Sequence, residues 1–167
     1  MKRLLWLLLL LPVLAWGETR STDQFFDQKM GDFKAELATA KQEGKKGILL
    51  MYELDDCPFC HRMKQTVLNQ AEVQDFYRKH FLIFTIDTKG DTAMVGFKGK
   101  NTTEKAFSFD NRVRATPVFA FYDLQGNQMT RYTGATKDAK EFLLLGQYVV
   151  EDAYKAMPFA KYKQQAK

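Results

Sequence analysis

Residues 48–60 read ILLMYELDDCPFC, which is an apolar run, two aspartates, and two cysteines separated by two residues. The apolar run from Ile48 to Leu54 predicts a short buried strand. Beyond the cysteines, apolar side chains recur at helical spacing as far as Val67, which predicts an amphipathic helix. Pro58 suits the first turn of that helix, because the amide hydrogen that proline lacks would have no helical partner there. The stretch therefore predicts a strand, a cysteine pair and a helix in direct succession.

The setting of Cys57 and Cys60 indicates chemistry rather than a structural cross-link. They are the two cysteines of the chain, and the loop that they would close is too short to constrain the unfolded chain usefully. A helix N-terminus carries unpaired N–H groups and positive partial charge, which stabilise a thiolate at Cys57. Cys60 lies one turn further on and is expected to be more buried. The pair predicts thiol–disulfide exchange, in which Cys57 attacks a substrate disulfide and Cys60 then releases the substrate.

The rest of the chain alternates between helical and strand patterns. A helix is predicted within residues 22–43, with Asp32 as a cap and Gly44 as its end. Asn69 and Glu72 resemble a capping box for a further helix. The remaining predictions are a strand at 81–86, a connection at 87–102, a helix at 103–111, strands at 118–122 and 128–133, and a last helix capped by Thr136 and running to about Tyr154.

This order of elements predicts the fold class. Strands joined by helical crossovers favour parallel neighbours, and the two strands between residues 118 and 133 read as an antiparallel hairpin. We therefore expect an α/β fold, with a central mixed sheet and helices on both faces.

The N-terminus has the layout of a secretory signal peptide. Lys2 and Arg3 form a short basic region, and an unbroken apolar run from Leu4 to Trp16 follows. Ala15 and Gly17 are small residues at the positions that a signal peptidase reads. The apolar run is shorter than the roughly 20 residues that a membrane-spanning helix needs. We therefore expect export and cleavage after Gly17.

The organisation expected from this is a signal peptide at 1–17 and a single domain at 18–167, with its core at about 33–155. The chain of 167 residues has a formal net charge of +5. Its basic residues are spread along the sequence rather than gathered in a stripe, so no nucleic-acid partner is expected.

Two motifs resemble those of the thioredoxin superfamily. The first is Cys-Pro-Phe-Cys at residues 57–60, and the second is Thr116-Pro117 at the entry to a later strand. The resemblance implies a thioredoxin-like fold. Further segments are similar to periplasmic thioredoxins of the sulfur-oxidation type, namely Gly99, 102–105, 113–123, Gly126 and 148–162.

The resemblance also implies roles for individual residues. Cys57 would be the attacking thiol and Cys60 the resolving thiol, while Pro58 and Phe59 between them tune the reduction potential. Pro117 would follow a cis peptide bond and face the cysteine pair, which leaves the backbone of Thr116 open to pair with a substrate strand.

The sequence departs from thioredoxins proper at two places. Those proteins carry a buried acid on the first core strand, six residues before the first cysteine, where this chain has Met51. Glu53 lies two residues on, on the same face of the strand, and is the candidate to replace that acid. Asp56 stands where thioredoxins proper have a tryptophan, and together with Asp55 it opposes thiolate formation at Cys57.

Two other classes of protein share parts of this pattern. Cys57-Pro58-Phe59-Cys60-His61 also fits the attachment motif of c-type haem, with His61 as one axial ligand and Met63, Met94 or Met129 as the other. A copper carrier would use the soft thiolates together with His61 or a methionine. Neither class explains the strand before the cysteines or the Thr116-Pro117 motif, and both remain as alternatives.

Reductases, oxidases and isomerases share the same exchange chemistry and differ in reduction potential. We favour a reductase of disulfide-containing periplasmic proteins, kept reduced by a membrane thiol electron donor. A disulfide isomerase or oxidase of the same fold is the alternative. No cofactor and no bound metal are expected.

Overall fold

A four-stranded mixed sheet forms the centre of the computed structural model, which describes residues 17–166. The strands in chain order are β1 (Gly47–Glu53), β2 (Phe81–Asp87), β3 (Ala93–Val95), β4 (Asn101–Thr103), β5 (Val118–Tyr122) and β6 (Gln128–Thr133). The central sheet has the order β2-β1-β5-β6, and β3 pairs with β4 in a separate hairpin.

The parallel pair and the antiparallel hairpin expected from the sequence are both present, and the antiparallel pairing of β1 with β5 joins them. β1 runs parallel to β2, with Leu50 opposite Phe84, and antiparallel to β5, with Leu50 opposite Ala120. β5 and β6 form an antiparallel hairpin. β1 is therefore a central strand, and its residues 47–52 are buried.

Six α-helices are present in the described part of the chain: α1 (Phe33–Gln42), α2 (Pro58–Thr66), α3 (Ala71–His80), α4 (Glu104–Asp110), α5 (Ala139–Val150) and α6 (Phe159–Gln165). Alternate residues of β1 face two separate cores. Leu49 and Met51 share one core with side chains of α2, α3 and α5, and this core also holds both cysteines. Leu50 and Tyr52 share the other core with side chains of α1 and α4. The predicted α/β architecture with helices on both faces of the sheet is confirmed.

The chain before α1 belongs to the packed unit. Phe25 is fully buried in the core on the cysteine side of the sheet. The backbone amide of Arg20 donates to the Asn69 carbonyl at 2.7 Å, and that of Ala71 donates to the Glu18 carbonyl at 2.8 Å. The segment 18–32 is thus held against the start of α3.

The prediction of a helix within residues 22–43 is correct only for its second half. A single 3-10 turn occupies Thr22–Gln24, and α1 begins at Phe33. Gly31, with φ of +83°, interrupts the helical path before α1. Asp32 caps α1 as predicted, accepting hydrogen bonds from the amides of Lys34 and Ala35.

Two predicted caps are wrong. The N-cap of α3 is Gln70, and the Asn69 side chain instead donates to the Gln65 carbonyl at 2.7 Å. The N-cap of α5 is Asp138, which accepts from the Glu141 amide at 2.9 Å. Thr136 is buried and faces Met63 of α2 instead. In both cases the chain turns into the helix later than the polar pattern suggests.

Three other differences concern boundaries. The predicted connection at 87–102 contains the β3–β4 hairpin, α5 ends at Val150 rather than near Tyr154, and α6 was not predicted. The hairpin strands have three residues each and α6 has seven, so their periodicity is too brief to be recognised in the sequence. No helix within residues 17–166 has the length and apolarity to cross a membrane. The predicted signal peptide lies, apart from Gly17, outside the described residues.

Candidate functional site

Cys57 is the N-cap of α2. Its backbone is extended, with φ of −98° and ψ of 104°, and Pro58 occupies the first helical position as predicted. The Cys60 amide lies 3.1 Å from the Cys57 Sγ and donates a hydrogen bond to it. The Cys57 amide is itself held by the Leu54 carbonyl at 3.2 Å. The first sulfur therefore sits where unpaired helical N–H groups converge.

The two cysteines are joined by a disulfide, and their Cα atoms are 5.3 Å apart. Cys57 is 6% exposed and Cys60 is 1% exposed, so Cys57 is the more accessible of the two residues to a partner. Phe59 between them is 59% exposed, and the guanidinium of Arg62 lies 5.9 Å from its ring centroid. A largely exposed aromatic ring thus lies between the two cysteines in the sequence.

Glu53, at the end of β1, forms an ion pair with a lysine of α2. Its carboxylate lies 2.5 Å from the Lys64 Nζ, and the Glu53 side chain is only 16% exposed. Lys64 is four residues after Cys60 on α2, so it lies on the same side of that helix as Cys60. Glu53 shares a face of β1 with Met51, which packs in the core that holds both cysteines. Glu53 is the candidate named from the sequence, and its partner Lys64 was not named, although the spacing of Lys64 from Cys60 could have indicated it.

The side chains on the opposite face of β1, which are Ile48, Leu50 and Tyr52, carry no charge. Burial raises the pKa of Tyr52 well above its usual value, and its hydroxyl shares a 3.0 Å hydrogen bond with that of Tyr122. Both phenols are therefore neutral in the physiological range.

Strand pairing brings Thr116 and Pro117 to the end of the sheet that carries the cysteines. Tyr52 pairs with Val118, so the chain entering β5 lies beside the chain that leaves β1 towards Cys57. The bond between Thr116 and Pro117 is cis. The Pro117 carbonyl accepts from the Gly134 amide at 2.8 Å, whereas no hydrogen bond within residues 17–166 engages the backbone of Thr116.

The residues named for haem or copper binding do not converge. Nε2 of His61 lies 2.7 Å from the Asp55 carbonyl. Met63 is buried in the core on the cysteine side, while Met94 is buried in the core on the other side of the sheet. Residues 17–166 contain no cluster of three or more histidine, cysteine or acidic side chains arranged to hold a metal ion. The structure instead places the Cys57–Cys60 disulfide at the start of α2, and it leaves the backbone of Thr116 without a hydrogen bond among the described residues.

Comparison with known proteins agrees with this geometry. The family model described as a thioredoxin-like domain matches residues 33–149. No curated protein matches the sequence.

Solved structures share the fold. A thioredoxin-fold protein from Helicobacter pylori superposes with a TM-score of 0.64 at 16% identity, covering 90% of this chain and 98% of its own. DsbH oxidoreductase superposes with a TM-score of 0.56 at 19% identity, covering 79% of this chain and 86% of its own. A thioredoxin from Thermus thermophilus superposes with a TM-score of 0.56 at 22% identity, covering 71% of this chain and 84% of its own.

Proposed function

Because this chain belongs to the thioredoxin-like domain family and is a thiol–disulfide oxidoreductase, we propose that it reduces the disulfides of exported, periplasmic proteins. The observation that carries the proposal is the environment of Cys57. Its sulfur lies at the start of α2 and accepts the Cys60 amide, and Cys57 is the more exposed of the two residues.

The first step uses Cys57 as the nucleophile. In the dithiol form, the Cys60 N–H and the positive end of α2 favour the Cys57 thiolate. The thiolate attacks one sulfur of a substrate disulfide, so a Cys57–substrate bond forms as the substrate S–S bond breaks. The departing substrate sulfur leaves as a thiolate and takes up a proton.

The second step uses Cys60 as the resolving thiol. Cys60 loses its proton and attacks the Cys57 sulfur, which re-forms the Cys57–Cys60 disulfide and releases the second substrate thiol. Two electrons have then passed from the protein to its substrate. A membrane thiol electron donor returns the protein to the dithiol form.

Thr116 and Pro117 are the proposed contact for the substrate backbone. The N–H and C=O of Thr116 are free of hydrogen bonds within the described residues. Pro117 is buried and leads directly into β5. An extended substrate segment would pair with Thr116 in the manner of an added strand. Phe59, which is exposed between the two cysteines in the sequence, would provide an apolar contact.

The test is a reduction assay with insulin, combined with redox equilibrium against glutathione. We expect the reduced protein to cleave insulin disulfides, and its potential to lie below about −220 mV, where thioredoxin-like reductants lie. Cys57→Ser should abolish turnover, and Cys60→Ser should accumulate a mixed disulfide at Cys57. A potential near about −120 mV, with oxidation of substrate thiols, would instead identify an oxidase.

A further inference from the structure

A cleft of about 300 Å³ lies where the chain that leaves β1 towards Cys57 runs beside the chain that enters β5. It is lined by Leu54, Thr88, Lys89 and the segment 113–116. Leu54 is the residue whose carbonyl holds the Cys57 amide, and Thr116 is the proposed backbone contact for the substrate. A substrate chain that paired with Thr116 would therefore place a neighbouring side chain in this cleft.

Two cations line the cleft, and no carboxylate does. Lys89 and Arg114 are both exposed. Neither forms an ion pair with a carboxylate among the described residues. The Arg114 guanidinium lies over the ring of Phe109 at 4.8 Å, a contact that leaves its positive charge in place.

The acidic groups nearest in sequence do not form ion pairs with these cations. Asp91 is exposed and does not line the cleft. The Asp87 carboxylate accepts the backbone amide of Lys89 at 2.9 Å rather than its ammonium group. Asp55 and Asp56 follow Leu54 in the chain and are exposed, but they are not among the residues that line the cleft. The cleft itself is thus a positively charged surface.

The segment 113–116 is fixed by the end of α4. The Arg112 amide donates to the Phe109 carbonyl at 2.9 Å, and the Val113 amide donates to the Ser108 carbonyl at 3.0 Å. With Arg112 at φ of +56°, this is a Schellman turn. Because the turn sets the direction of the chain, Val113 and Arg114 are held in position before a substrate arrives.

We propose that this cleft selects substrates in which a carboxylate side chain lies within two or three residues of the reacting cysteine. The carboxylate would pair with Lys89 and Arg114, while the apolar side chains of Leu54 and Val113 contact its carbon stem. This inference rests on the proposed reductase function and names the class of substrate that the same site prefers.

The test uses three disulfide-linked fluorogenic peptides that are identical except for the residues flanking the cysteine, which are aspartate, serine or lysine. With the reduced wild-type protein, kcat/KM for the aspartate peptide should exceed that for the lysine peptide by about tenfold at low salt. The gap should close to within about twofold at ~0.5 M salt, because the Debye length falls to a few ångströms. In the double variant Lys89→Glu/Arg114→Glu, the lysine peptide should become the faster substrate.

A charge-matched control is Lys41→Glu/Lys79→Glu. Both lysines are exposed and lie near the opposite end of the sheet, before β1 and before β2 respectively. This variant should retain the wild-type order of the three peptides. Loss of the aspartate preference in the control as well would show that net charge decides the order, which would overturn the proposal.

A small neutral disulfide, 2-hydroxyethyl disulfide, distinguishes failure of the substrate preference from failure of the proposed reductase function. If the wild-type protein reduces it and all three peptides at equal rates, the charged cleft does not select substrates and the inference is wrong, while the reductase function stands. If the wild-type protein reduces none of the four, the proposed function itself fails.

Discussion

At the scale of single residues, Glu53 and Lys64 form an ion pair between the end of β1 and the helix that carries Cys60. We propose that Glu53, which is on the cysteine side of β1 and pairs with the Lys64 ammonium group one helical turn beyond Cys60, takes the Cys60 proton as the second step begins. Glu53 would then take the role of the buried acid that thioredoxins proper carry at the position of Met51.

We predict that Glu53→Gln slows release of the mixed disulfide by at least about tenfold at neutral pH. The deficit should shrink as the pH is raised, because hydroxide can then take the Cys60 proton without a side-chain base. Rapid quenching followed by mass analysis measures the lifetime of the Cys57–substrate adduct.

The matched control for this prediction is Glu43→Gln, which breaks the Glu43–Lys45 pair before β1. Its adduct lifetime should follow that of the wild type at each pH. A deficit in Glu53→Gln that was equal at neutral and alkaline pH would mean that Glu53 only supports the structure.

At the scale of elements, the segment before α1 contributes a large aromatic side chain to the core. Phe25 is fully buried and packs edge-on against Tyr77 of α3, with ring centroids 5.9 Å apart. It also lies 6.4 Å from the ring of Phe142 on α5. The segment therefore ties together two helices that cover the cysteine side of the sheet.

Phe25→Ala should lower the free energy of unfolding by about 3–5 kcal/mol, the usual loss when a buried phenylalanine is truncated. Urea denaturation followed by circular dichroism measures it. Phe109→Ala is the control, because Phe109 is 66% exposed and its removal leaves no cavity. Equal losses in the two variants would contradict the assignment of Phe25 to the core.

At the scale of the whole molecule, the residues directly after the expected cleavage site belong to the packed unit. Glu18 is already held through its carbonyl by the Ala71 amide. Thr19 forms an isolated bridge with Gln70. A cut after Gly17 would leave these contacts intact.

We predict that the protein expressed in a Gram-negative host is recovered from the periplasm with Glu18 as its first residue. Intact mass and N-terminal sequencing measure this outcome. Leu8→Arg/Leu9→Arg interrupts the apolar run and should leave the precursor uncut in the cytoplasm. Recovery of the wild-type chain with residues 1–17 still attached would show that they act as an anchor or remain uncleaved.

The sequence by itself determined the elements whose signal is local. The strand before Cys57, the Pro58 helix start and the strands at 118–122 and 128–133 follow from periodicity and from residues adjacent in the chain. The thiol chemistry could also be predicted from the sequence, because placing a thiol at a helix start requires only one strand-to-helix junction. Those features predicted the fold class and the dithiol centre.

The tertiary structure alone decided which remote residues meet. The Glu53–Lys64 pair, the cleft shared by Leu54, Lys89 and Arg114, and the burial of Phe25 each join residues on separate elements. The true caps at Gln70 and Asp138 depend on where the chain turns into each helix, which the position of neighbouring elements sets. Periodicity reports which face of an element is apolar, and it carries no information about which other element covers that face.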